Sequence, residues 1–225
     1  MKICVIIPVY NEADHIGQLV ADVKKQLSDV VVVDDGSRDG SAESARPAGA
    51  VVLTHETNRG KGAALATGFA YALKGGWDAV LIMDGDGQHA CEDIRAFCSA
   101  AEDADVIVGN RLLDARNMPL VRYLTNRFMS FVVSRSAGCR IPDSQCGFRL
   151  IRRRVLATVV CGTEHYEAES ELLVEAARQG YRIVSVPVKT IYRKEKSKIR
   201  PFTDTIRFIK LMAGLHGREQ KHRRR

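Results

Sequence analysis

The feature that most narrows what this chain can fold into is a set of short, unbroken apolar runs, each halting at a polar cluster. Lys2 to Val9 is continuous and β-branched, and Tyr10-Asn11-Glu12 follows it. Val30 to Val33 stops at Asp34-Asp35-Gly36-Ser37, Ala79 to Met83 at Asp84-Gly85-Asp86-Gly87-Gln88-His89, and Asp105 to Val108 at Gly109-Asn110-Arg111. Ala50 to Leu53 adds a further run. Strands that are apolar at every position are buried on both faces, as in a parallel sheet. Between them, residues 13–27 space Ile16, Leu19, Val20, Val23 and Leu27 as one helical face, and 60–73 and 92–102 also read as helices. This alternation predicts an α/β fold: a mostly parallel central sheet flanked by helices.

The second half is less regular. Residues 120–135 read as an amphipathic helix, and Leu172, Leu173 and Ala176 mark another, closed by Gly180. Ile183 to Val188 reads as a strand whose Pro187 argues for an edge or an end. Residues 203–215 form an amphipathic C-terminal helix with Ile206, Ile209, Leu211, Met212 and Leu215, before a tail ending in three arginines. No linker-like stretch interrupts the chain, so one domain is expected over 1–200, with helix and basic tail over 201–225. No apolar run approaches the ~20 residues of a membrane span. Lys2 precedes only a short apolar run, so no signal peptide is expected. The six cysteines form no Cys-x-x-Cys pair and match no zinc spacing, and reduced thiols are expected.

Charge is distributed unevenly. Residues 1–110 hold 9 Lys+Arg against 17 Asp+Glu, a balance of −8; residues 111–225 hold 25 against 10, a balance of +15. A basic half suits phosphorylated ligands, an anionic membrane or nucleic acid. Aromatic residues make up only 6% of the chain and do not interleave with the basic ones, so a nucleic-acid platform is not expected.

In an open α/β sheet, ligands bind beyond the carboxyl ends of the strands, where these polar clusters fall. In extended chain, residues two apart face the same way, so Asp84, Asp86 and Gln88 would offer three oxygen donors to one side. Hard divalent cations, Mg²⁺ or Mn²⁺, take such oxygens and bridge to diphosphates. Gly85 and Gly87 would let a bulky ligand approach the backbone. Asn58-Arg59-Gly60-Lys61-Gly62 opens a helix with glycines and basic residues, which suits an anion or a plain helix entry.

Taken together, Pro8-Val9-Tyr10-Asn11-Glu12, Val33-Asp34-Asp35-Gly36-Ser37, Asn58-Arg59-Gly60-Lys61-Gly62 and Met83 to His89 resemble the family 2 inverting glycosyltransferases of GT-A fold. Asp143-Ser144-Gln145-Cys146-Gly147-Phe148-Arg149, with the later Val186-Pro187-Val188, Tyr192-Arg193 and Ser197-Lys198, is similar to the branch of dolichyl- and polyprenyl-phosphate glucose or mannose synthases. The resemblance implies that Pro8, Tyr10, Glu12 and Asp35 line a nucleotide pocket with Asp34 and Lys61 close by. It implies that Asp84 and Gly85 lie near the nucleotide-sugar, and that Asp86 and Gln88 hold the metal with Asp84 beside them. It further implies that Arg111 and Arg122 meet phosphates, that Arg193 and Lys198 close over the diphosphate, and that Asp143 lines the sugar side. Two departures stand out: Asn126 replaces a Ser of some mannose synthases, and the Glu-rich 165–171 replaces a Lys. The first bears on the acceptor contacts; the second tilts the expected donor away from GDP-mannose, and the Asp143 to Phe148 segment makes UDP-glucose the preferred one.

The expected reaction is inverting transfer of a sugar from a nucleoside diphosphate to a polyprenyl phosphate, helped by a divalent cation. Such an acceptor is an anion at neutral pH and needs no strong base, whereas a saccharide hydroxyl, the alternative acceptor, would need Asp143 or Glu169 as one. The basic half and the 203–215 helix would meet an anionic membrane surface. The protein is therefore expected in the cytoplasm, peripheral on the inner face of the membrane, with no transmembrane helix.

Overall fold

The structure, a computed structural model, describes residues 1–116, 118–159 and 168–191. Its core is one seven-stranded sheet built from β1 (Ile3–Val9), β2 (Asp29–Asp34), β3 (Val51–Thr54), β4 (Ala79–Ile82), β5 (Val106–Asn110), β6 (Arg149–Arg152) and β7 (Ile183–Pro187). The spatial order is β3-β2-β1-β4-β6-β5-β7. All pairings are parallel except those of β6, which runs against both β4 and β5. β1, β2, β4 and β5 therefore end at one rim, as their polar termini require.

The Val-rich β2 and the Ile-rich β1 are buried along nearly their whole length, because helices cover both faces. α1 (Ala13–Lys24) turns Ile16, Leu19, Val20 and Val23 inward, and it packs on β2 and on the short α2 (Ser41–Ala45). α3 (Lys61–Gly75) covers β1 and β2 from the other side, since the chain reverses direction across the sheet between β3 and β4. α4 (Ile94–Ala100) lays Phe97 against Phe148, ring centroids 4.2 Å apart. α5 (Leu120–Ala137), α6 (Arg153–Thr158) and α7 (Ala168–Arg178) complete the described helices, with α5 packed on α7.

β7 is an edge strand and Pro187 is its last residue, where a missing N–H removes no interior ladder bond. β6 was not visible as a run: Arg-Leu-Ile-Arg carries a cation at each end. Its direction has a structural effect. Ile82, the last residue of β4, pairs with Arg149, the first of β6, so the segment before β6 arrives at the same rim as Asp84. The expected 203–215 helix, the 201–225 tail, Arg193 and Lys198 lie outside the described residues. The five cysteines among the described residues are free thiols, and burial pushes that of Cys4 up to about 12.

Candidate active site

The loops after β1 and β2 are joined side to side. The amide of Asn11 donates to Ser37 Oγ, that of Glu12 to Ser41 Oγ and that of Ala13 to Asp39 Oδ2; Asn11 Oδ1 in turn accepts from the Arg38 amide. Asn11 takes a positive φ of 54°, which Asn tolerates. Pro8 is buried within β1, whereas Tyr10 stands exposed at the rim with Glu12 half-buried behind it. Asp34 accepts from the Ser37 amide and closes the turn after β2. Asp35 is more fully committed. Its Oδ1 meets His55 Nδ1 at 2.7 Å and the Arg59 amide at 3.0 Å, and its Oδ2 accepts from the Gly60 amide at 2.7 Å. Asp35 therefore holds the 58–62 loop in place, with His55 braced in turn against Thr67 Oγ1.

Asp84 is the hub of the rim. Lys61 Nζ lies 2.5 Å from its Oδ1, and His89 Nε2 lies 3.2 Å from its Oδ2. Lys61 also reaches Glu169 Oε2, at 2.9 Å, in the first turn of α7. One buried ammonium thus ties α3, the β4 end and α7 together. Burial by itself would push the Asp84 carboxyl up, but Lys61 and His89 outweigh it and hold Asp84 well below the usual carboxylate range. Asp86 shows the opposite balance. Burial and the neighbouring Asp84 charge raise its pKa, while the Gln88 amide donates to its Oδ1 at 3.0 Å.

The backbone from Asp84 to Gln88 is a turn, not extended chain, so the expected strict alternation of donors does not form. Asp84 turns to Lys61 and His89, leaving Asp86 and Gln88 as the adjacent oxygen-bearing pair. Among the described residues no group of three or more His, Cys, Asp or Glu is gathered as a metal centre. The donor chemistry still suits a hard cation, because Asp86 sits in a buried, acidic setting that a cation would relieve. Gly85 serves packing as well as approach: a Cβ there would lie 2.6 Å from Val9 Cγ1. Gly147 leaves room for Asp84, since a Cβ at that position would overlap both carboxylate oxygens.

Arg111 and Asp143 form a closed pair. Asp143 is wholly buried and receives the Arg111 amide at 3.1 Å, Nε at 2.8 Å and Nη2 at 2.9 Å. The Asp143 carboxylate is engaged by a cation and does not open onto the rim. Arg122 is half-buried on α5, outside the Arg111–Asp143 pair. Arg149, which had no assigned role in the sequence, proves to be the largest fully buried side chain. It donates to the carbonyls of Cys146 (2.8 Å), Ser144 (2.7 Å) and Glu169 (2.6 Å). Glu169, a candidate base in the sequence, joins the site through Lys61, a contact that spacing along the chain does not disclose, whereas His89 joins through Asp84 close before it. Beyond β7, Thr190 bridges to His89 and the Ile191 amide donates to Gln88, bringing the end of the described chain to the rim.

The mostly parallel sheet with this acidic carboxyl rim has the GT-A fold of glycosyltransferases. A solved structure of glucosyl-3-phosphoglycerate synthase from Mycobacterium tuberculosis, in complex with Mn²⁺, uridine diphosphate and phosphoglyceric acid, matches with a TM-score of 0.69 at 20% identity, over 87% of this chain and 72% of that one. Residues 4–160 match the family described as Glycosyl transferase family 2, and the chain belongs to that family. Its relatives include the UDP-N-acetylglucosamine–dolichyl-phosphate N-acetylglucosaminyltransferase of Methanococcus voltae, 30% identical over 84% of this chain and 86% of that protein. They also include the undecaprenyl-phosphate mannosyltransferase of Micrococcus luteus, 30% identical over 86% and 85%.

Proposed function

We propose that this enzyme transfers a hexosyl group, with inversion, from a nucleoside-diphosphate sugar to a polyprenyl phosphate at the cytoplasmic face of a membrane. The observation that carries this reading is the state of the two carboxylates suited to act as a base. Asp143 is closed by Arg111, and Glu169 is held by Lys61 through Oε2 while its Oε1 is buried, so neither stands open to an acceptor hydroxyl. An acceptor hydroxyl would need a free carboxylate to take its proton; a phosphate monoester is already anionic. Two relatives whose names carry a polyprenyl-type phosphate support the same reading. Their two different sugars leave UDP-glucose as a preference drawn from the 143–148 segment.

In this mechanism Tyr10, Glu12 and the Asp35-anchored loop hold the nucleoside, and Lys61 fixes Asp84 beside the sugar. Asp86 and Gln88 would hold Mg²⁺ or Mn²⁺. A bound cation neutralises charge building on the leaving diphosphate. Arg122, with Arg193 and Lys198, supplies further phosphate contacts. Catalysis then rests on positioning and electrostatics rather than on proton transfer.

The test is transfer of labelled sugar from UDP- and GDP-hexoses to polyprenyl phosphate, to free saccharides and to soluble phosphorylated acceptors, with Mn²⁺ and with chelator. Cation-dependent label in the polyprenyl phosphate is expected. Label only in a saccharide would overturn the acceptor assignment.

A further inference from the structure

α5 is amphipathic in the wrong sense for water. At 3.6 residues per turn, Leu120, Val121, Leu124, Phe128 and Phe131 fall on one arc about a third of the way around the helix. All five are exposed, from 55% at Leu124 to 77% at Val121. The opposite arc, packed on the protein, carries Asn126 and Ser130 as well as Val133 and Ala137. Ser130 Oγ accepts the Ser144 amide, and Ser134 Oγ bonds both the amide and the carbonyl of Ile141. The polar side chains therefore serve the interior, and the large apolar ones face out. Leu113, in the turn before the helix, extends the exposed patch. Monomeric soluble proteins seldom leave such a contiguous apolar face uncovered.

We propose that this face of α5 docks on an anionic lipid bilayer, which deepens the polyprenyl-phosphate reading and rests on it. Charge selects the occupant. α5 holds no acidic residue, its exposed Arg127 and Arg135 lie on the side of the arc, and it belongs to the half of the chain whose balance is +15. Arginines flanking an apolar arc place their stems along it and their heads among lipid phosphates. A second copy would set the same arginines against each other. Residues 201–225, with 7 Lys+Arg against 2 Asp+Glu, meet the same repulsion. Among the described residues no helix is long and apolar enough to cross a membrane, so α5 lies along the surface. Its position suits an acceptor held in that surface: Ser130 pins the segment carrying Asp143, and α5 packs on α7, whose first turn carries Glu169.

The full-length protein is floated with phosphatidylcholine vesicles and with phosphatidylcholine–phosphatidylglycerol vesicles, both free of polyprenyl phosphate. Wild type should float with the anionic vesicles and lose binding as salt rises. The Leu124→Glu, Phe128→Glu, Phe131→Glu triple variant should bind at least roughly tenfold more weakly. It should also melt like wild type and keep its transfer rate to a short, water-soluble prenyl phosphate without vesicles. As a second measurement, Phe128→Trp should add emission quenched by brominated anionic lipid. Equal flotation of wild type and triple variant, or no flotation of wild type, overturns the proposal. So does a wild-type dimer that the triple substitution dissolves without any vesicle binding. Flotation lost in the variant, with no transfer to any prenyl phosphate by wild type, keeps the docking face and removes the acceptor reading instead.

Discussion

Arg111 grips Asp143 with two parallel bonds, Nε to Oδ2 at 2.8 Å and Nη2 to Oδ1 at 2.9 Å, inside a region from which water is excluded. Removing one partner of such a pair strands the other as an uncompensated buried charge. Asp143→Asn is therefore expected to cost about 3–5 kcal/mol of stability, read by urea unfolding. Turnover per folded molecule should remain measurable, because in the proposed reaction the carboxylate is not the base. A variant of native stability with no turnover would contradict this assignment.

Asp86 carries its charge at a local cost, from burial and from Asp84 beside it. Asp86→Asn should melt at or above the wild-type temperature without cation. Mn²⁺ and a nucleoside diphosphate together are expected to raise the wild-type melting temperature, and the variant should lose that rise, since a ligand stabilises only the state it binds. An undiminished rise in the variant would take the cation elsewhere.

Gly147→Ala tests the fit around Asp84. The added methyl overlaps the carboxylate oxygens and must push Asp84 off Lys61 or His89. The expected result is a loss of roughly tenfold or more in kcat/KM for the sugar nucleotide, since small misplacements at a reacting centre are costly. The comparison Gly138→Ala, with open space but a left-handed φ of 70°, should lower the melting temperature by backbone strain and leave kcat/KM per folded molecule near wild type.

Arg149→Met removes a charged donor from three buried carbonyls, those of Ser144, Cys146 and Glu169. A cost of about 3 kcal/mol or more is expected from denaturant unfolding. Arg149→Lys should recover only part of it, because an ammonium lacks the planar fork.

Asp39 supplies a pH signature. Burial opposes its charge, but bonds from Ser41 and from the Ala13 amide prevail and lower its pKa below the usual 3.8. A depressed carboxyl stabilises the native state above its unfolded pKa and loses that contribution as pH falls through the folded value. Asp39 is exposed, so solvent screens its bonds and Asp39→Asn should cost under about 1 kcal/mol at neutral pH. The gap between variant and wild type should close below pH ~4 as the wild-type carboxyl protonates.

Much of this architecture was legible in the chain because burial on both faces leaves an unmistakable mark. β1, β2, β4 and β5 read as apolar runs, and their polar ends do share one rim. The rest was hidden for identifiable reasons. β6 is short and carries Arg149, whose burial is tolerable only because three carbonyls converge on it. Lys61 read equally as an anion contact or as part of a plain helix entry, and the partners of its side chain, Asp84 and Glu169, are set by tertiary folding. Periodicity located α5 but not the direction in which its apolar side faces.

The reversed course of β6 carries an implication for specificity. Residues 143–148 are suspended beside Asp84 by backbone pairing of the strand that follows them, and they are anchored there by Asp143 on Arg111 and by the absent side chain of Gly147. Half-buried Gln145 belongs to neither anchor. On the proposed reading, sugar preference would be retuned there while the ladder on either side keeps the rim in register.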